Sequence, residues 1–410
     1  MKKDVLNIDI VSFLSYGYIY IPIVLFLIFW IKSTVAVIVL LFLAAAFCFC
    51  LLEKRFAKSR APASDLYLDL YIYAVVLAII IVWCVISGLG GYTKQAGDWS
   101  KHNVMLKTLT ENDWPVSAEW QGKTGVICYY IAYYLVPALA GKLAGMEAVQ
   151  QMTLVWSVIG IFLCVYNVCR QLREGAYWKY TPLAVCFGII LFATFQVPMT
   201  GIYHSWNPQD AADGVHWMSQ SVRIQYTSNI NSLRWVYPQF IPGILTASLL
   251  LGNRKRYDMW GLLCVPVILY STFCFAGFAL ILAAAFMADL WKEGRCFSWK
   301  LLYDRKNICL LPLLAVLLIY IGANVLQEKP DGVQMKFTLI HYSSNKMLFI
   351  LFQASWILWI LLLARRKKNF YGNWLLPSCV CLFFIPFVMF GYWNDFCMRG
   401  SIPALCFLCF

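Results

Sequence analysis

Apolar residues fall in long blocks along this chain, separated by polar stretches rich in Lys and Arg. A block of about 20 such residues, coiled as a helix, crosses the ~30 Å hydrocarbon core of a bilayer. The pattern predicts helices at 16–31 and 34–52, a basic loop EKRFAKSR, then a helix from Leu66 to about Gly88 ending in GLGGY. Further crossings are predicted at 148–168, 180–203 and 237–251, with a tight pair within 259–290. The last are at 308–326, 347–363 and 373–391, and a further one starts at 401. The expected fold is all-α: a polytopic transmembrane bundle of about 11–12 spans. Three regions are expected: 1–65, an N-terminal hairpin with a basic loop; 66–257, a module carrying large polar loops at 89–146 and 204–236; and 258–410, C-terminal helices whose last span is incomplete.

The block Val126 to Leu143 is the exception. If it crossed, the next crossing would carry Arg170, Arg173 and Lys179 to the outer side, against the tendency of basic residues to stay inside. Tyr129, Tyr130, Tyr133 and Tyr134 form an aromatic stripe on it, and Pro137 interrupts it. These features predict a juxtamembrane helix on the outer face, with tyrosines at headgroup level. With that threading, 21 of the 33 Lys and Arg fall in the short inner segments, which sets the orientation. A plasma (inner) membrane location follows, with the large loops extracytoplasmic.

Composition strengthens this picture. The chain is 61% hydrophobic and 13% charged, where a soluble domain carries roughly 25% charged residues. The net charge of +13 does not point to nucleic acid, because the basic residues lie in small clusters between apolar blocks. The 16 cysteines lie almost wholly inside apolar blocks, without metal-type spacing, and read as small buried hydrophobes.

The inner loops offer little chemistry. All four histidines (His102, His204, His216, His341) fall in the predicted outer segments. The densest polar stretch is GDWSKHNVMLKTLTENDWPV, 97–116. Asp98, Lys101 and His102 are spaced three and four apart, which on a helix groups them on one side. In 204–236, His216, Gln220 and Arg223 recur at i, i+4 and i+7 beside Trp206, Trp217 and Tyr226. Flat rings beside hydrogen-bonding groups suit a sugar, and suit an interfacial helix equally. Asp395 and Arg399 flank a short outer turn and could serve a substrate or simply pair with each other. Asp69 and Asp289, both near block ends, are the only acids inside apolar blocks, which argues against an ion-coupled transporter.

Together these features bear a resemblance to a known class. A lone acid after an outward-going helix, a polar loop, an aromatic helix with a YY pattern and a G-K-x-x-G end, then a re-entering helix: this is similar to the GT-C membrane glycosyltransferases, which use polyprenyl-phosphate-linked sugars. The stretches DWSKHNVMLKTL with WPV, SN..SLRWVYPQFIPG at 228–243 and NDFCMRGSIPAL at 394–405 resemble uncharacterised bacterial membrane proteins of that type. The resemblance implies transfer of a sugar at the outer face to a glycan, lipid or protein acceptor, with inversion. It also implies that Asp98 acts as general base on the acceptor hydroxyl. Catalysis then rests on Asp98 and His102. Lys101, His216, Gln220, Arg223, Asp395 and Arg399 would bind the sugar and the leaving phosphate. Many members of the class carry two adjacent acids for a divalent metal. Here the next acids are Glu111 and Asp113, and a metal is left open. Two helices also precede the minimal pattern. The alternatives are a polymerase or exporter of polysaccharide assembly, which needs outer-loop arginines but no carboxylate in the first loop, and a non-catalytic scaffold or channel.

Overall fold

The structure is a computed structural model describing residues 10–53, 66–95, 97–120, 122–172, 179–192, 226–294, 303–325, 338–339, 374–390 and 394–410. It is helical apart from two short antiparallel strand pairs among these residues. Its helices are α1 Ile10–Trp30, α2 Ser33–Leu52, α3 Leu66–Ile86, α4 Trp99–Glu111, α5 Ala132–Ala144, α6 Met146–Leu172 and α7 Thr181–Leu191. Next come α8 Asn229–Leu251, α9 Tyr257–Cys264, α10 Val267–Tyr270 and α11 Thr272–Glu293. Then follow α12 Arg305–Cys309, α13 Leu311–Val325, α14 Leu375–Phe384, α15 Asp395–Gly400 and α16 Ile402–Cys409.

Among the described residues four helices are long and apolar enough to cross a membrane: α1, α2, α6 and α11, of 21, 20, 27 and 22 residues. At about 1.5 Å per residue each reaches ~30 Å or more. Shorter apolar helical stretches run at 70–86, 181–191, 257–270, 311–323 and 375–387. The blocks expected to cross at 180–203 and 347–363 lie partly or wholly outside the described residues. Within 259–290, where a tight pair was expected, the chain forms α9 and α10, breaks at Ser271 in an extended conformation (φ −169, ψ 109), and starts the long α11. The Ser271 hydroxyl accepts from the Cys274 amide at 3.2 Å, capping the new helix.

Contacts divide the chain into two compact units, one built from 1–187, 233–270 and 299–327, the other from 188–232, 271–298 and 328–410. In the first unit, α5 and α6 pack along one another, with α3 on α6 and α4 on α5. Gly141 makes the close approach possible, because a Cβ there would lie 2.3 Å from a Val149 methyl and 2.8 Å from Thr110. Tyr18 of α1 stacks on Trp156 of α6 at 4.2 Å.

The two ends of this unit differ in chemistry. At one end Arg170 donates to Ser12 at 2.7 Å, and Gln171 lies against Gly252. There too Lys306, whose side chain is 0% exposed, meets three carboxylates: Glu53 at 2.8 Å, Asp304 at 3.0 Å and Asp258 at 3.2 Å. Burial alone would pull the Lys306 ammonium down. The hydrogen bonds from Glu53, Asp304 and Asp258 outweigh it and hold the group above the ordinary lysine value. This ion cluster joins the end of α2 to the starts of α9 and α12. Asp304 also caps α12, accepting from the Lys306 amide at 2.9 Å.

At the other end lies the segment 87–145. It leaves the end of α3 and returns to the first turns of α6: Gln150 of α6 donates to Asn103 of α4 at 3.2 Å. Its hairpin pairs β1, Ser117–Trp120, with β2, Lys123–Val126, around Gly122 in the left-handed region (φ +73). Trp114 packs at 5.3 Å from Trp30, the last residue of α1. The Tyr320 hydroxyl donates to the Ile127 carbonyl at 3.0 Å and accepts from the Tyr129 amide at 3.1 Å. α5 has 13 residues, or about 20 Å, short of a crossing.

In the second unit α11 packs with α14, α15 and α16. Gly277 and Gly400 meet backbone to backbone, and a Cβ on Gly277 would fall 2.0 Å from the Gly400 carbonyl oxygen. Strands β3, Thr338–Leu339, and β4, Val388–Met389, pair here.

Candidate functional site

The site begins with how α4 is held. Trp99, His102, Leu106 and Leu109 recur at helical spacing and are all buried, while Lys101, Val104, Lys107 and Glu111 face outward. This amphipathic pattern makes α4 lie flat on its neighbours. Its C-terminal carbonyls are capped by side chains: Trp114 Nε1 donates to Leu109 O at 2.7 Å and Asn112 Nδ2 to Thr108 O at 2.9 Å. Lys142 closes the corner, donating to the Asn112 carbonyl at 2.5 Å with its ammonium 5.4 Å from the Trp114 ring centre.

His102 is the anchor. It is 9% exposed. Its Nε2 lies 2.8 Å from the Trp235 carbonyl oxygen and its Nδ1 2.7 Å from the Tyr134 hydroxyl. A carbonyl only accepts, so Nε2 carries a proton. α8 is kinked at Val236 (φ −133, ψ 32) and carries Pro238 and Pro242, and at this irregular turn the Trp235 carbonyl meets the imidazole. The ring thus ties α4 to both α5 and α8. Around it Trp99 stacks on Tyr237 at 4.8 Å, and Tyr133 meets Tyr237 edge-on at 5.2 Å. The Tyr133 hydroxyl shares a 2.5 Å hydrogen bond with Ser157. Burial pushes this phenol well above its ordinary pKa.

Tyr133 and Tyr134 therefore point into the protein, 0% and 1% exposed, and not to headgroup level as the aromatic stripe suggested. Their hydroxyls find buried partners, so facing inward leaves no polar atom unmet. Replacing His102 with Phe is expected to leave the Trp235 carbonyl and the Tyr134 hydroxyl without the imidazole, at about 1–3 kcal/mol each. Thermal unfolding of the purified protein checks this; an unchanged midpoint contradicts the anchoring role.

Asp98 opens α4 and its side chain makes no capping bond. The carboxylate is 46% exposed and meets the Lys101 ammonium at 3.2 Å. An exposed pair of this kind contributes only about 0–1 kcal/mol to stability. It sets an acceptor and a cation side by side on the wet face of α4. His102, one residue on from Lys101, is rotated about 100° away toward the apolar side. The spacing of three and four thus resolves into an outward pair and an inward clamp.

Asp395 and Arg399 belong to the second unit and pair with each other at 3.3 Å along α15. Asn394, in the left-handed region (φ +56), caps that helix, accepting from the Cys397 amide at 3.3 Å. His216, Gln220 and Arg223 lie outside the described residues, as do His204 and His341. Among the described residues no group of three His, Cys, Asp or Glu side chains could hold a metal ion.

Sequence reasoning passed over three amides. Thr93 Oγ1 donates to the Val85 carbonyl at 2.5 Å and Gln95 Nε2 to the Gly88 carbonyl at 3.1 Å, so the loop before Asp98 satisfies the last turn of α3 and the turn that follows it. Asn103 Nδ2 in turn donates to Gln95 Oε1 at 2.8 Å. Gly88 has φ +99, and a Cβ there would sit 3.1 Å from the Trp99 indole nitrogen. The glycine in GLGGY was visible as a turn, but nothing in the spacing of Gln95, Asn103 and Gln150 announced that they meet.

No family model matches the chain, and no curated protein or solved structure matches it.

Proposed function

We propose that this protein is a membrane glycosyltransferase of the GT-C type. It moves a sugar from a polyprenyl-phosphate-linked donor to an acceptor at the extracytoplasmic face of the plasma membrane. The observation that carries the reading is the outward Asp98–Lys101 pair on a helix laid across one end of a bundle with membrane-length helices. A carboxylate there accepts the proton of an acceptor hydroxyl as that oxygen attacks the anomeric carbon. The C–O bond to the lipid phosphate breaks in the same displacement, inverting the centre, and the departing phosphate needs cationic partners. Lys101 is the cation at hand, with Arg223 and Arg399 as further candidates. His102 serves as the anchor that fixes the helix and not as a proton carrier, since both its ring nitrogens face protein partners.

The orientation follows from charge. The Lys306 end gathers Arg170, Arg254, Lys255 and Arg256, and basic residues of that density favour the cytoplasmic side. The α4 end then faces out. Four helices of membrane length support the multi-pass reading. The test is incubation of the reconstituted protein with radiolabelled polyprenyl-phosphate sugars. Loss of label from the lipid is expected; full retention across the common sugars contradicts the reading.

A further inference from the structure

We propose that Gln95, Asn103 and Gln150 form a positioning network for the Asp98 carboxylate; its role in turnover rests on the sugar-transfer reading above. The three amides form a directed chain. Gln150 Nε2 on α6 donates to Asn103 Oδ1 at 3.2 Å, Asn103 Nδ2 on α4 to Gln95 Oε1 at 2.8 Å, and Gln95 Nε2 to the Gly88 carbonyl at 3.1 Å. The chain therefore spans from the first turns of α6, across α4, to the Gly88 turn just past the end of α3. Asp98 lies between two of its members, three residues after Gln95 and five before Asn103.

Nothing else described fixes the Asp98 side chain except Lys101, which is 81% exposed, and a pair that exposed does little to hold a geometry. The carboxylate's position is then inherited from the backbone of its turn, and the amides pin that turn on both sides. Asn103 is the central link because it bonds to both of the other amides, accepting from Gln150 and donating to Gln95. Leucine has the same branched shape and number of heavy atoms and offers neither donor nor acceptor. Catalytic groups gain from being held within a fraction of an ångström by such supporting hydrogen bonds. A misplacement of about 1 Å can lower a rate roughly 100-fold.

The test uses the full chain in detergent or nanodiscs. A Cβ added at Gly97 would meet no atom within 4 Å, so Gly97→Cys carries a nitroxide beside Asp98 without removing the carboxylate. The spectrum of the unsubstituted labelled chain is subtracted to remove the native cysteines. The nitroxide is expected to be restricted in the otherwise native chain and to gain mobility with Asn103→Leu. Sugar transfer by Asn103→Leu (without the label) should fall about 10- to 100-fold in kcat with KM little changed. Unchanged mobility overturns the network. Raised mobility with undiminished kcat overturns its positioning role. If the unsubstituted chain transfers no sugar while mobility rises as expected, the network stands and only the transferase reading falls.

Discussion

Asp98→Asn is expected to abolish sugar transfer and to leave the fold intact. The two side chains have nearly the same shape, and the Asp98 carboxylate makes no capping bond to the amides of α4. What is lost structurally is one exposed contact with Lys101, about 0–1 kcal/mol. What is lost chemically, on the transferase reading, is the proton acceptor. Positioned general bases contribute about 10²–10⁴ in rate, and the loss should appear in kcat, because an amide still hydrogen-bonds a hydroxyl in the ground state. Release of label from a polyprenyl-phosphate sugar and a thermal unfolding curve, measured on the same preparation, separate the two effects. Full activity in the variant removes Asp98 from the chemistry. A large drop in the unfolding midpoint assigns it a structural role instead.

Lys306→Met has the opposite profile: a large loss of stability with no direct contact to the proposed chemistry. Methionine fills much the same volume but leaves Glu53, Asp258 and Asp304 facing one another without the ammonium between them. Breaking a buried charge cluster by removing one partner costs about 3–5 kcal/mol. The carboxylates are 38%, 18% and 31% exposed and can partly rehydrate, which places the expected loss at the lower end, about 3 kcal/mol. The pH dependence has a definite sign. The folded lysine is held above its ordinary value, so its contribution is fully present below about pH 10.4 and fades only as pH rises through the raised folded value. Across pH 5–8 the lysine's contribution is therefore constant. The stability gap between variant and native protein should be open at pH 7 and close only as pH rises through the folded lysine value. No gap at pH 7 contradicts the cluster.

The difference between what could and could not be read from the chain is physical. The long helices α1, α2 and α6 announced themselves, because a run of some 20 apolar residues has few soluble solutions. The amphipathic face of α4 was legible from Trp99, His102, Leu106 and Leu109. That same spacing placed His102 with the leucines and Asp98 with Lys101, which grouping all three together obscured. The break at Ser271 was not legible, since an apolar block gives no sign of where one helix stops and another starts; of the two legs expected there, only α11 has membrane length. The hairpin at 117–126 left only a faint trace in Gly122. The Lys306 cluster left none: Glu53 and Asp258 are 253 and 48 positions away in the chain, and no local pattern records a meeting of that kind. The amides supporting Asp98 escaped for the same reason, with Gln150 47 residues beyond Asn103.

The central claim is that the α4 end of the first unit, with Asp98, faces the extracytoplasmic water while the Lys306 end faces the cytosol. A membrane-impermeant maleimide applied to sealed right-side-out vesicles tests it on Gly97→Cys, with the unsubstituted chain as background. Labelling from outside without permeabilisation is the predicted result. Labelling that appears only after the vesicles are opened would put the carboxylate on the cytosolic side and contradict the account.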